Sequence, residues 1–253
     1  MEAQDPTPLY CRNCEKPIVE GNRFCAGCGV SQNQQELADH SKKWSHLQGI
    51  GLFFGIEIII CAASLLIEKQ TPETALFFQI LAAVTTLSFV GSDWKNNKYL
   101  LKWESFSIWK LGICIVLAVI GSLIVQFVVF YIDKTVSPEQ SDNYALYRSR
   151  PYGNYLMVLS FAIFPAIFEE LAYRGYLMQK LLQVVDKREA IYITSILFFL
   201  IHFSLLSFFW LLPFAVLLAY IRTKENTLWY GIFIHFVFNL TSCLTDIFYP
   251  RGL

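Results

Sequence analysis

Residues 161–179 read FAIFPAIFEELAYRGYLMQ, and this stretch decides the fold. It is apolar enough for a membrane helix, yet it carries two adjacent carboxylates and an arginine. Arg174 lies four residues beyond Glu170, so on a helix the two share a face and an internal ion pair is natural. Glu169 is expected to turn about 100° away and to face something else. Pro165 removes a backbone hydrogen bond just upstream, which predicts a kink or loosened turn there. A charged residue at the centre of a membrane helix costs roughly 2.5–3.5 kcal/mol on insertion scales. Ion pairing offsets that for Glu170 and Arg174, but it gives no reason for a second carboxylate.

Two other apolar runs carry the same kind of anomaly. Residues 196–203 read ILFFLIHF, with Phe198 and His202 at i, i+4. Residues 231–240 read GIFIHFVFNL, with His235 and Asn239 at i, i+4. The chain has four histidines, and the two outside the N-terminal segment both fall in apolar runs expected to be helical. Polar residues can act as glue between membrane helices, and proton relays or transport sites also use them. The particular set matters more. A carboxylate and an imidazole suit the activation of water, and an imidazole and an amide suit a developing oxyanion. Together they make up a kit for peptide hydrolysis by water attack.

The surrounding sequence supports a membrane setting. Of 253 residues, 55% are hydrophobic and only 16% are charged, against about 25% charged in soluble domains. Net charge is zero, so no global field favours nucleic acid. At about 20 residues per crossing, seven spans are expected, near 48–67, 75–91, 107–132, 153–175, 190–206, 208–221 and 228–248. The sixth is short and contains Pro213. The fold class is therefore an all-α polytopic transmembrane bundle occupying residues 47–253. The first 45 residues are polar, so no cleavable signal peptide is expected. Basic residues alternate between loops. Lys42 and Lys43, then Lys95, Lys98 and Lys102, then Lys180, Lys187 and Arg188, then Arg222 and Lys224 fall on one side. The other side has Lys69, then Lys134, Arg148 and Arg150 offset by Asp133, Glu139 and Asp142. A cytoplasmic N-terminus follows, with the C-terminus outside if there are seven spans.

Residues 1–30 form a separate unit, joined by a polar linker or short surface helix over 31–46. Cys11-x2-Cys14 and Cys25-x2-Cys28 have the spacing of a four-thiolate zinc site, and four thiolates leave no open position for catalysis. So short a segment has no apolar core, and metal binding would supply its folding energy. Arg12, Lys16 and Arg23 are offset by Glu2, Asp5, Glu15 and Glu20, so no basic patch for nucleic acid stands out. A docking knob for a protein partner is expected instead. Cys61, Cys114 and Cys243, scattered in apolar runs, are expected to be small core hydrophobes.

Glu169-Glu170-x3-Arg174, Phe198-x3-His202 and His235-x3-Asn239, in this order, resemble the CAAX prenyl protease and bacteriocin-processing family, also called the Abi family. The resemblance covers residues 150–245 and leaves the zinc ribbon outside. It implies an intramembrane endopeptidase in which Glu169 and His202 activate water and His235 with Asn239 forms the oxyanion site. Glu170, Arg174 and Phe198 would then be supporting residues. The implied partners are membrane lipid and a membrane-associated peptide or protein substrate. The implied location is a cell membrane, such as the bacterial inner membrane. A catalytic metal stays open, since two histidines and a glutamate can bind zinc, although the resemblance favours a mechanism without one. Some members of the family act in immunity or regulation, so a non-catalytic scaffold is the alternative.

Overall fold

The computed structural model describes residues 9–11, 13–18, 22, 24–30, 34–103, 106–136 and 143–249, with the backbone alone for Leu9, 34–39, 133–136 and Asn143. Glu2, Asp5, Arg12, Glu20 and Arg23 of the ribbon lie outside the described residues, as do Glu139, Asp142, the side chains of Asp133 and Lys134, and residues 250–253. The chain divides into two compact units, Met1–Gly49 and Ile50–Leu253.

The smaller unit contains an antiparallel pair, β1 (Leu9–Tyr10) and β2 (Pro17–Ile18), with Leu9 opposite Ile18 and Tyr10 opposite Pro17. The expected polar linker is helical from Gln34 onward, and that helix, α1, runs to Leu65.

Six more long helices follow: α2 (Pro72–Ser92), α3 (Ile108–Val136), α4 (Gly153–Leu181), α5 (Lys187–Leu200), α6 (Phe208–Glu225) and α7 (Trp229–Phe248). Local chemistry explains several of their ends. Thr71 and Thr74 cap α2 reciprocally, and Pro72 sits in its first turn, where its missing N–H costs nothing. Asp186 and Glu189 form the same capping box on α5. Asn226, at φ 52°, closes α6 in the left-handed conformation that asparagine tolerates.

Five of these helices are long and apolar enough to cross a bilayer: 40–65 of α1, then α2, residues 108–132 of α3, α4 and α7. Along α3, Ile113, Val116, Leu117, Ile120 and Phe127 are exposed, which calls for lipid rather than water. The chain is a multi-pass membrane protein. Among the described residues, five helices rather than the expected seven have the length and composition of a span. Helix α5, the expected fifth span, ends at Leu200 and covers only about 21 Å at 1.5 Å per residue. A turn follows, in which Phe203 takes a φ of 47°. Helix α6, the expected sixth, has Pro213 inside it and ends on Arg222 and Lys224. The two pack side by side as a hairpin.

The core lies where α1, α2, α4 and α5 meet. Phe53, Phe89 and Tyr176 form a triangle of edge-to-face rings, each pair 5.3 Å apart. Tyr173 and Phe198 extend it at 5.2 Å. Helix α7 packs on α3, where the Ser122 hydroxyl donates to the Phe238 carbonyl at 2.8 Å. From α4, Glu170 and Arg174 meet groups on α5, α6 and α7, namely Phe198, Ala215 and His235.

Candidate active site

Helix α4 does not keep one winding. Its backbone is π-helical over Leu159–Ile163 and again over Pro165–Leu177. The wider i→i+5 turn is frequent at functional sites, and its second, longer stretch begins at the proline. Glu169 lines the cavity described below while Glu170 is fully buried, as their separation on a helix predicts, yet the two carboxylates approach the same ring. Both reach one imidazole, with Glu170 Oε1 at 3.1 Å from His235 Nδ1 and Glu169 Oε2 at 3.8 Å from His235 Nε2.

Glu170 and Arg174 are both fully buried and paired at 2.9 Å. The guanidinium also donates to the Ala215 carbonyl at 3.3 Å and stands 4.3 Å over the Phe198 ring. Burial of such a pair is tolerable only with added hydrogen bonds of this sort. Because a carboxylate oxygen accepts only, His235 donates Nδ1–H to Glu170, and this orients Nε2 toward Glu169. Gly231, one turn before His235, makes room for this. A Cβ there would lie 2.6 Å from Glu170 Oε2.

His202 is not inside a helix, as the sequence reading had it. It lies in the turn just past α5, where its Nδ1 donates to the Phe198 carbonyl at 2.8 Å. That carbonyl is one of the acceptors left over at a helix end. In the neutral ring this bond puts the proton on Nδ1 and leaves the lone pair on Nε2. The expected partner of Glu169 was His202, yet the imidazole within 4 Å of the Glu169 carboxylate is that of His235. Glu169, His202, His235 and Asn239 nevertheless line one cavity of about 670 Å³. Phe198 forms part of its wall, 4.8 Å from the His202 ring and 6.2 Å from that of His235.

Other residues here were not singled out in the sequence. Arg222 read as a loop charge, but it is buried and donates Nε–H to the Arg174 carbonyl at 2.9 Å and a second N–H to Gln179. It thereby clamps the end of α6 to α4. Gln79 on α2, and Gln126 and Ser242, which are hydrogen-bonded to each other, bring polar groups to the cavity from outside the three motifs. Amides and a hydroxyl carry no charge anomaly, so nothing in their sequence context marked them.

The cysteine tetrad lies in the other unit. Among the described residues, Cys11, Cys14, Cys25 and Cys28 are the group whose ligand atoms gather, all within 4.8 Å of one another. The Cys11–Cys28 and Cys14–Cys25 sulfurs are 3.5 and 3.7 Å apart. Four sulfurs at 2.3 Å around a tetrahedral ion would be about 3.8 Å apart, so the tetrad fits a metal. The two knuckles repeat one backbone pattern: Glu15 N–H to the Cys11 carbonyl and Gly29 N–H to the Cys25 carbonyl, each at 2.8 Å. The donor in each case has positive φ, 56° for Glu15 and 73° for Gly29. The backbone N–H groups of Asn13 and Cys14 bring the Cys11 thiol down to about 6. Cys14 is pulled down by the Lys16 amide, but its three neighbouring thiols and burial outweigh that and push it up to about 12.

Residues 151–241 match the family described as type II CAAX prenyl endopeptidase Rce1-like. This segment belongs to the CAAX protease family. No curated protein and no solved structure gives a significant match. The CAAX-protease segment opens just before α4 and closes within α7, so it contains Glu169, His202, His235 and Asn239 with their supports. Helices α1, α2 and α3 and the ribbon lie outside it.

Proposed function

We propose that the protein is an intramembrane endopeptidase that hydrolyses a peptide bond of a membrane-associated protein or peptide. The observation behind this reading is the single cavity lined by Glu169, His202, His235 and Asn239, in a segment that matches a protease family. Water held between Glu169 and His202 attacks the scissile carbonyl carbon. Its proton passes to the free Nε2 of His202 or to Glu169, both available as bases. The carbonyl oxygen becomes an oxyanion held by the Asn239 amide and by His235, whose ring Glu170 orients. As the tetrahedral intermediate collapses, the C–N bond breaks and the stored proton moves to the leaving amine. Arg174, Phe198 and Arg222 act through position.

The positive-inside pattern of the loops puts the N-terminus in the cytoplasm, and the ribbon there carries zinc as a structural ion. The ribbon presents Tyr10 and Phe24 with more than half of their surface exposed, which suits a protein partner. In the test, membranes from cells making the wild-type protein and Glu169→Ala are compared by mass spectrometry of protein termini. Precursors that accumulate only in the variant identify substrates, and identical termini in both would count against the assignment.

A further inference from the structure

Glu169 borders two cavities. Besides the one above, it lines a second of about 420 Å³ between α1, α2 and α4. The walls of this second cavity are apolar, with residues such as Ile60, Phe78, Phe164 and Phe168. Its polar exceptions include Glu57 on α1, Gln79 on α2, and Glu169 and Tyr173 on α4. Glu57 is only 4% exposed, and its Oε1 has no hydrogen-bond partner. Gln79 Oε1 and the Tyr173 hydroxyl, both buried in the same wall, also lack one. Gln79 gives one amide N–H to the Ser160 carbonyl at 2.8 Å, while its oxygen accepts from nothing.

A buried polar group left unpaired costs about 1–3 kcal/mol, and native structures rarely hold several together without a ligand or ion to explain them. The unmet demand has a sign. Of the unpaired atoms, Glu57 Oε1 and Gln79 Oε1 ask for donors and the Tyr173 hydroxyl can take either role. The Glu169 carboxylate adds a second acceptor group, and no lysine, arginine or histidine among the described residues lines the cavity. Two carboxylates around one apolar space also repel each other until a cation lies between them. The ligand that fits has a positive, donor-rich head on an apolar stem, which describes a lysine or arginine side chain.

We infer that this cavity is a specificity pocket for a basic side chain of the substrate, with Glu57 as the residue that selects it. The inference rests on the peptidase reading, since Glu169 connects this cavity to the one where water is activated. Glu57 lies on α1, outside the matched CAAX-protease segment, so the preference would belong to this chain's added helices. Glu57 is a specificity residue rather than a catalytic one.

The probe is a set of palmitoylated alanine–leucine decapeptides in which one position at a time is lysine or its neutral isostere norleucine. Full-length protein is placed in phosphatidylcholine nanodiscs, whose lipid has no primary ammonium. Binding is measured on His202→Ala, which lacks the proposed base but leaves this pocket untouched, and cleavage on the wild type. The expected result is that lysine at one fixed position binds roughly 30-fold more tightly than norleucine, about 2 kcal/mol at 1.4 kcal/mol per tenfold. Glu57→Gln in the same background should bring that ratio near 1, and Glu57→Asp should retain part of it. If Glu57→Gln melts too early to assay, the lysine-to-norleucine ratio of His202→Ala alone and its fall in Gln79→Met decide the matter. A ratio near 1 at every position, or one that Glu57→Gln leaves unchanged, overturns the pocket. Cleavage without lysine preference sinks the pocket and spares the peptidase. Lysine preference without any cleavage does the reverse.

Discussion

Replacing Gly231 by alanine tests whether Glu170 is a fixed strut beneath His235. The added Cβ would sit 2.6 Å from Glu170 Oε2 and 3.4 Å from its Cδ. A carboxylate at the end of a side chain usually swings aside at little cost, but this one is fully buried. Its other oxygen is held by Arg174 at 2.9 Å and by His235 at 3.1 Å. Relieving the overlap needs a shift of roughly 0.5–1 Å, which would stretch both bonds past the usual 3.2 Å limit. Overpacking of this kind costs about 1–3 kcal/mol. Alanine in place of glycine within a helix returns about 0.5–1 kcal/mol, so the net loss of stability should be modest, about 0–2.5 kcal/mol. Activity should suffer far more, since a misplacement of about 1 Å can cost roughly 100-fold. Gly112→Ala is the control, because a Cβ there meets nothing within 4 Å. It should melt at or slightly above the wild-type temperature and keep full activity. Thermal melting in nanodiscs gives the first quantity, and processing of precursors in membranes gives the second. A Gly231→Ala protein with wild-type stability and wild-type processing would refute the strut.

Further expectations follow from the same contacts. Arg174→Lys keeps the charge but loses the planar group over Phe198 and the bond to Ala215. It should destabilise the protein by about 2–4 kcal/mol by leaving Glu170 under-paired, visible as a lower melting temperature. Asn239→Ala should cost roughly 100- to 1,000-fold in turnover, the usual loss for one oxyanion donor, with little change in melting. A strong zinc chelator should make the segment 9–30 sensitive to trypsin while precursor processing persists, and metal analysis should give about one zinc per chain. Glu15→Gly should slow metal loss to the chelator, because Glu15 holds the left-handed φ of 56° that Gly29 holds in the other knuckle and a non-glycine residue pays about 1–2 kcal/mol there.

Contacts within one short segment were legible in the sequence. Glu170 and Arg174 are four residues apart, so their pairing needed only a helix. The four cysteines needed only their spacing. Contacts that depend on packing between distant segments were not legible. His235 and Glu170 are 65 residues apart, and nothing local says that Glu170 rather than Asn239 anchors the imidazole. The π-helical winding of α4 was hidden as well. Pro165 signalled a loosened turn, but not that it would persist to Leu177 and bring Glu169 round to His235. His202 was misplaced because apolar periodicity runs on through Ile201 and Phe203, whereas the helix stops at Leu200. Arg222 looked like a solvated loop cation because charge was read without burial. Glu57 drew no notice inside a long apolar run, although a carboxylate in that setting is the same anomaly that identified Glu169.

In the proposed mechanism Glu169 makes this cavity a hydrolytic site. Its most direct test compares wild type with Glu169→Gln, an isosteric change that removes the base and leaves the fold intact. Purified proteins in nanodiscs are incubated with a precursor identified by terminal proteomics, in water enriched in oxygen-18, and the new C-terminus is weighed. A single cut by the wild type is expected, with one oxygen-18 in the new carboxylate, and a rate at least about 1,000-fold lower for Glu169→Gln. Equal cleavage by the two proteins would contradict the mechanism.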